Sequence, residues 1–336
     1  MVVVVHVGFM PGDWLAQYHG SLLHGAVTGL WVLFNGPAAV IVFFLISGFC
    51  IHFPSNSAES LNVIGYYARR LTRIGIPGII AAAAFVQLRE RPDDWNQTIF
   101  WTVICEAVFY LAYPLLVALR QRTSWELLVA ASLSVALILS FGNADALRAA
   151  NNDYTALGEW TWVIGLPCWI MGCWLAENYT RFPTLSTRDI WRVRGFVFAL
   201  SVGLRIFKFL SSSILASNCV SLNLFALVLC GWLGLEIRYY MQAKPVRLTE
   251  WMGTWSYSLY LVHPLVYPLL AACGMTGLAI PGSLQLLLTY LLTPFIAYAF
   301  YLCVEWPSHR FAKHLGARAT KAGRWKLRFA PVSGGS

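Results

Sequence analysis

Residues 98–119 read TIFWTVICEAVFYLAYPLLVAL, an apolar run whose one charged side chain is Glu106. A helix of about 20 apolar residues crosses the hydrocarbon core of a bilayer, so this stretch has the length and composition of a membrane span. Comparable runs lie on both sides of it, at 25–53, 125–141, 158–176, 195–213, 219–237, 251–272 and 284–304. A shorter run occupies 74–88, and the chain opens inside an incomplete one at 1–10. Together they predict an all-α, polytopic transmembrane helix bundle of about ten spans with no extramembrane domain.

Composition agrees. Hydrophobic residues make up 58% of the 336 and charged residues only 12%, whereas a soluble domain carries about 25% charged residues. The eight cysteines fall in apolar segments without a CxxC or other metal-ligand spacing, which reads as reduced core thiols and no metal site. The termini and breaks divide the chain into an integral domain over residues 1–310, its first span incomplete, and a basic cytoplasmic tail over 311–336.

The net charge of +9 does not point to nucleic acid, because the basic residues sit between apolar runs rather than on a water-soluble face. They obey the positive-inside rule instead. Alternate breaks hold Arg69, Arg70 and Arg73; Arg120 and Arg122; Arg181, Arg188, Arg192 and Arg194; and Arg238, Lys244 and Arg247. The tail adds Arg310, Lys313, Arg318, Lys321, Arg324, Lys326 and Arg328 to that side. Arg89, Arg91 and Arg148 fall on the other side, and Arg205 and Lys208 lie within a run. The expected location is an inner (plasma) membrane, multi-pass, with the C-terminus in the cytoplasm.

Ionisable groups inside a membrane are costly and mark candidate sites. His6, Glu106 and His263 are such groups. A carboxylate bonded to one imidazole nitrogen raises the basicity of the other, so His6 and Glu106 would together make a general base; the alternative is a pair satisfied locally for packing. In YYARRLTRIGIP, Arg70 and Arg73 are three apart and share a helical face, suited to bidentate phosphate binding by a nucleotide or coenzyme A. Positive-inside topology and attraction to anionic lipid predict arginine there as well. In WSYSLYLVHPLVYP, Ser256, Tyr257, Tyr260 and His263 bring polar groups into one span, either lining a cavity or satisfied within their own helix. No Walker loop, GxSxG elbow, HExxH or EF-hand spacing occurs.

In order along the chain, these stretches resemble the acyltransferase-3 family of integral membrane acyltransferases. VVVVHVG is similar to its first-helix motif ending in histidine, AVIVFFLISGFCIHF to its FFxxSGFxI helix, and YYARRLTRIGIP to its Arg-Arg-x-x-Arg stretch. FWTVICEAVFYLAYPLL resembles its WSLxxExxFYxxxP segment, WSYSLYLVHPLV its SYxxYLxH segment, and YLCVEWPSHRF its closing ExPxxR segment. The resemblance implies a cytoplasmic acyl-CoA as donor substrate, no bound cofactor, and transfer of an acetyl or similar short acyl group to a hydroxyl or amine. The acceptor is expected to be a carbohydrate of the cell surface or a related small molecule. By these motifs His6 and Glu106 are catalytic, and Arg69, Arg70, Arg73, Tyr257, His263 and Glu305 bind substrate. The family's first helix carries an arginine about eleven residues before its histidine, a position that here precedes Met1; at about 1.5 Å per residue, residues 1–10 span roughly half the bilayer core. The expected cause is a start placed too late. The competing functional classes are a proton-coupled transporter or flippase, using the same buried His and Glu as a relay, and an inactive acyltransferase remnant.

Overall fold

The computed structural model of the chain describes residues 29–89, 92, 95, 98–274, 282–322 and 326–329. His6 and the first apolar run lie outside the described residues. The rest is an all-α bundle, as expected, with one pair of three-residue strands added. Its long helices are α1 Gly36–His52, α2 Val63–Leu88, α3 Phe100–Arg120, α4 Trp125–Gly142, α5 Thr161–Asn178, α6 Thr187–Leu210 and α7 Asn218–Tyr240. After the short helix Arg247–Thr254 come α8 Ser256–Val262, α9 Val266–Ala272, α10 Gly282–Phe300 and α11 Trp306–Ala322. Among the described residues, six helical stretches are long and apolar enough to cross a membrane: Gly29–His52, Val63–Leu88, Phe100–Arg120, Trp125–Gly142, Asn218–Tyr240 and Leu284–Thr320.

The runs at 158–176 and 195–213 form helices, α5 and α6, that fall outside these six, and three further runs differ from the sequence reading. The short run at 74–88 is the second half of α2, whose 26 residues are ample for a crossing. Arg69, Arg70 and Arg73 therefore lie within a helix rather than in a break. All three are half-buried, and long basic side chains can lay their stems along apolar surface while the charged head reaches water. The run at 251–272 is not one helix. It breaks at Trp255 and again in a 3₁₀ turn over His263–Leu265, where Pro264 and Pro268 supply no N–H to the helix ladder. The run at 284–304 does not stop, because a π-helical turn at Tyr301–Glu305 carries α10 into α11.

The chain divides into two compact units. The first comprises residues up to Gly36, then 69–100 and 246–314; the second comprises 37–68, 101–245 and the chain from Leu315 onward. In the second unit α5 is the central element, buried along nearly its whole length and packed against α4 and α7. α1 crosses it at Gly48 and Gly172, where a Cβ on either glycine would run into the backbone carbonyl of Trp169 or Leu45. Small residues at such crossings let two helices approach to backbone contact. The strands β1 Ser60–Asn62 and β2 Lys326–Arg328 pair antiparallel in this unit, with Leu61 opposite Leu327.

In the first unit α8 and α9 pack on α10, and Trp251, Trp255 and Tyr298 form an aromatic cluster with ring centroids 5.3–6.1 Å apart. Five of the eight cysteines are buried, as expected of core thiols. Cys50, Cys273 and Cys303 instead lie on the protein surface, on helix faces that apolar composition alone cannot distinguish from core.

Candidate active site

Three clusters of polar side chains stand in these helices, two in the second unit and one in the first. In the second unit α3 places Glu106, Tyr110 and Tyr113 on one face, four and then three residues apart. Glu106 is 4% exposed. Its Oε1 accepts a hydrogen bond from Ser47 Oγ at 2.8 Å and another from the Tyr110 hydroxyl at 2.5 Å. Ser47 Oγ in turn accepts from Trp169 Nε1 at 3.2 Å. The indole can only donate, so the serine hydrogen is turned to the carboxylate. The contact of α1 with α5 at Gly48 and Gly172 brings Ser47 and Trp169 together.

Sequence reasoning singled out Glu106 and missed Ser47, Tyr110 and Trp169. A serine in an apolar helix ordinarily bonds to its own backbone. Its visible signals were its place beside Gly48 and its match to the serine of the FFxxSGFxI motif.

A second buried network in the same unit was missed altogether. Glu177 Oε1 accepts from His52 Nε2 at 2.9 Å and from Trp125 Nε1 at 2.7 Å, while Oε2 accepts from Arg120 at 3.0 Å. A carboxylate of this kind accepts only, so His52 carries its hydrogen on Nε2; Nδ1 faces the Tyr113 hydroxyl at 2.9 Å. The network joins the ends of α1, α3 and α5 to the start of α4. The legible signal was the coincidence of His52, Arg120 and Glu177 with the ends of three apolar runs.

The first unit holds the other candidates. Glu305, 7% exposed, ends the π-helical turn, a deformation frequent at functional sites. Its Oε2 accepts from the Ser258 hydroxyl and from the Ser258 backbone N–H, the latter at 3.1 Å. Arg73 stands within electrostatic reach of that carboxylate. On α2, Arg70 and Arg73 share a face as the spacing predicts, and Arg69 points elsewhere around the helix.

Tyr257 and His263 each donate to a backbone carbonyl. The Tyr257 hydroxyl donates to the Ile74 carbonyl at 3.0 Å, one residue after the position whose carbonyl bond is removed by Pro77. His263 is 1% exposed, and its Nδ1 donates to the Tyr260 carbonyl at 2.7 Å. That bond fixes the tautomer with the hydrogen on Nδ1. Among the described residues no group of three or more His, Cys, Asp or Glu side chains is placed to hold a metal ion.

Chemically, a buried carboxylate held by two hydroxyls can orient and polarise a neighbouring base. Two arginines on one helical face can seat phosphate. Comparison with known proteins adds one finding: the sequence model of the acyltransferase-3 family, described as an acyltransferase domain, matches residues 1–304. No curated protein and no solved structure matches the chain.

Proposed function

The chain belongs to the acyltransferase-3 family, and from that premise we propose that it moves an acetyl or similar short acyl group from cytoplasmic acyl-CoA to a hydroxyl or amine of a cell-surface glycan or related acceptor. It is an acyltransferase of a membrane, which sets aside the transporter reading; donor, acceptor, plasma-membrane location and cytoplasmic C-terminus are the proposed parts. The observation that carries the reading is Glu106, a carboxylate sunk in an apolar helix and fixed by Ser47 and Tyr110. A packing residue at that place would be cheaper as an apolar side chain.

In the proposed reaction His6, oriented by Glu106 or a neighbour, takes the proton of the acceptor hydroxyl as its oxygen attacks the thioester carbonyl. The carbon–sulfur bond breaks, the carbon–oxygen bond forms, and the thiolate leaves and is protonated to coenzyme A thiol. The same residue acting first as nucleophile would give an acyl-imidazole that the acceptor then resolves. Arg70 and Arg73 hold donor phosphate at the inner face in either case.

The test is transfer of label from acetyl-CoA to an acceptor extract by the purified protein. Transfer is expected, and Glu106→Gln should lower it about 100-fold, at the lower end of what a positioned acid or base contributes. Absence of transfer, or full transfer by both Glu106→Gln and His6→Ala, refutes the assignment.

A further inference from the structure

α11 brings two more basic side chains to the arginines of α2. Within the first unit, Ser308 Oγ donates to the Thr72 carbonyl at 3.0 Å and so ties the start of α11 against α2 between Arg70 and Arg73. His309 follows Ser308 directly, and Lys313 lies four residues further on, one turn along the same face. His309 stands within electrostatic reach of Arg73, Lys313 and Arg70. Among the described residues none of the four is in a salt bridge with a carboxylate. The Glu305 carboxylate, within electrostatic reach of Arg73, takes its hydrogen bonds from Ser258.

Arg70, Arg73 and Lys313 repel one another and crowd the basic His309, with the Glu305 carboxylate beside Arg73 offsetting only part of that charge, and a multiply charged anion offsets the rest. The groups are also graded in depth. Glu305 is buried beside Arg73, His309 is half-buried, and Lys313, about 6 Å further along the helix at 1.5 Å per residue, is exposed. In coenzyme A the thioester sits at one end, the diphosphate lies between, and the 3′-phosphate is at the far nucleotide end. We propose that His309 and Lys313 form the 3′-phosphate subsite of the donor, outside the seat that Arg70 and Arg73 make for its diphosphate. The inference rests on the acyl-CoA reading above. It makes α11 the element that distinguishes coenzyme A from nucleotides and thioesters lacking that phosphate.

Equilibrium binding of coenzyme A and of 3′-dephospho-coenzyme A to the full-length protein in lipid nanodiscs tests this without need of the acceptor. The wild type should bind coenzyme A about tenfold more tightly, the worth of one charge-assisted contact of about 1.4 kcal/mol. His309→Gln and Lys313→Ala should each bring that ratio toward one, while Arg70→Ala weakens both ligands and keeps the ratio. A ratio unchanged in both α11 variants overturns the subsite, and if Arg70→Ala still weakens both ligands, the acyl-CoA reading stands. No binding of either ligand by the folded wild type refutes the acyl-CoA reading itself. Discs of neutral lipid and discs containing phosphatidylglycerol separate the two sources of phosphate. α11 variants that change only the effect of anionic lipid, and not the ratio, assign the seat to a lipid headgroup and overturn the donor subsite.

Discussion

Replacing Glu177 by alanine should destabilise the protein severely although the residue touches none of the candidate catalytic groups. Its carboxylate accepts from His52, Trp125 and Arg120 at 2.7–3.0 Å, and its side chain is 8% exposed. The substitution leaves an imidazole, an indole N–H and a guanidinium facing the space it vacates. Breaking a buried ionic pair by removing one partner costs about 3–5 kcal/mol. Arg120 keeps 17% of its side chain open, so water can take over part of its solvation and the lower end, about 3 kcal/mol, applies. For chains of 150–250 residues each kcal/mol lowers Tm by about 2–4 °C, and less for a longer chain, so a fall of about 5 °C is expected. Thermal loss of the monodisperse peak in detergent measures it. Glu177→Gln keeps one oxygen to accept from His52 and Trp125 but turns an NH2 donor toward Arg120, losing that hydrogen bond together with the charge, so its fall should be smaller than that of the alanine variant. An alanine variant that melts within a degree of the wild type would refute the brace.

Two further outcomes follow from packing and from the second carboxylate. Gly172→Leu puts a side chain where the Leu45 carbonyl of α1 already lies, and should abolish recovery of folded protein in detergent, with Gly203→Leu, which meets open space, recovered normally. Ser258→Ala removes the hydroxyl from Glu305 and leaves the Ser258 backbone N–H bonded to it; a loss of about 1.5–3 kcal/mol is expected from a hydrogen bond to a charged group, read as a Tm decrease smaller than that of Glu177→Ala.

What the sequence disclosed and what it hid divide along a physical line. Glu106 stood out because a charge in an apolar run is costly wherever its partners are, Arg70 and Arg73 because their spacing puts them on one helical face, and Glu305 only through the resemblance of its segment to a family motif. The partners themselves did not. Ser47 and Trp169 are 122 positions apart and meet only because Gly48 and Gly172 let α1 and α5 touch. His52 and Glu177 are separated by 125 positions, and each alone looks like the polar end of an apolar run. Helix ends were misplaced for the same reason that charges were conspicuous. Arg69, Arg70 and Arg73 were counted as a break, although α2 runs through them from Val63 to Leu88.

That error bears on function. Placed in a break, the arginines are explained as well by orienting the chain or by meeting anionic lipid as by seating phosphate. Placed inside α2, with Ser308 bonded to the Thr72 carbonyl between them, Arg70 and Arg73 have a neighbouring helix to work with, and they face a surface whose basic side chains come from α11. The positive-inside rule accounts for the number of basic residues on one side of a membrane, but it is indifferent to which of them converge. Convergence of positive charge beyond what Glu305 offsets requires a reason of its own. The phosphate of the proposed donor is a ligand that would supply one.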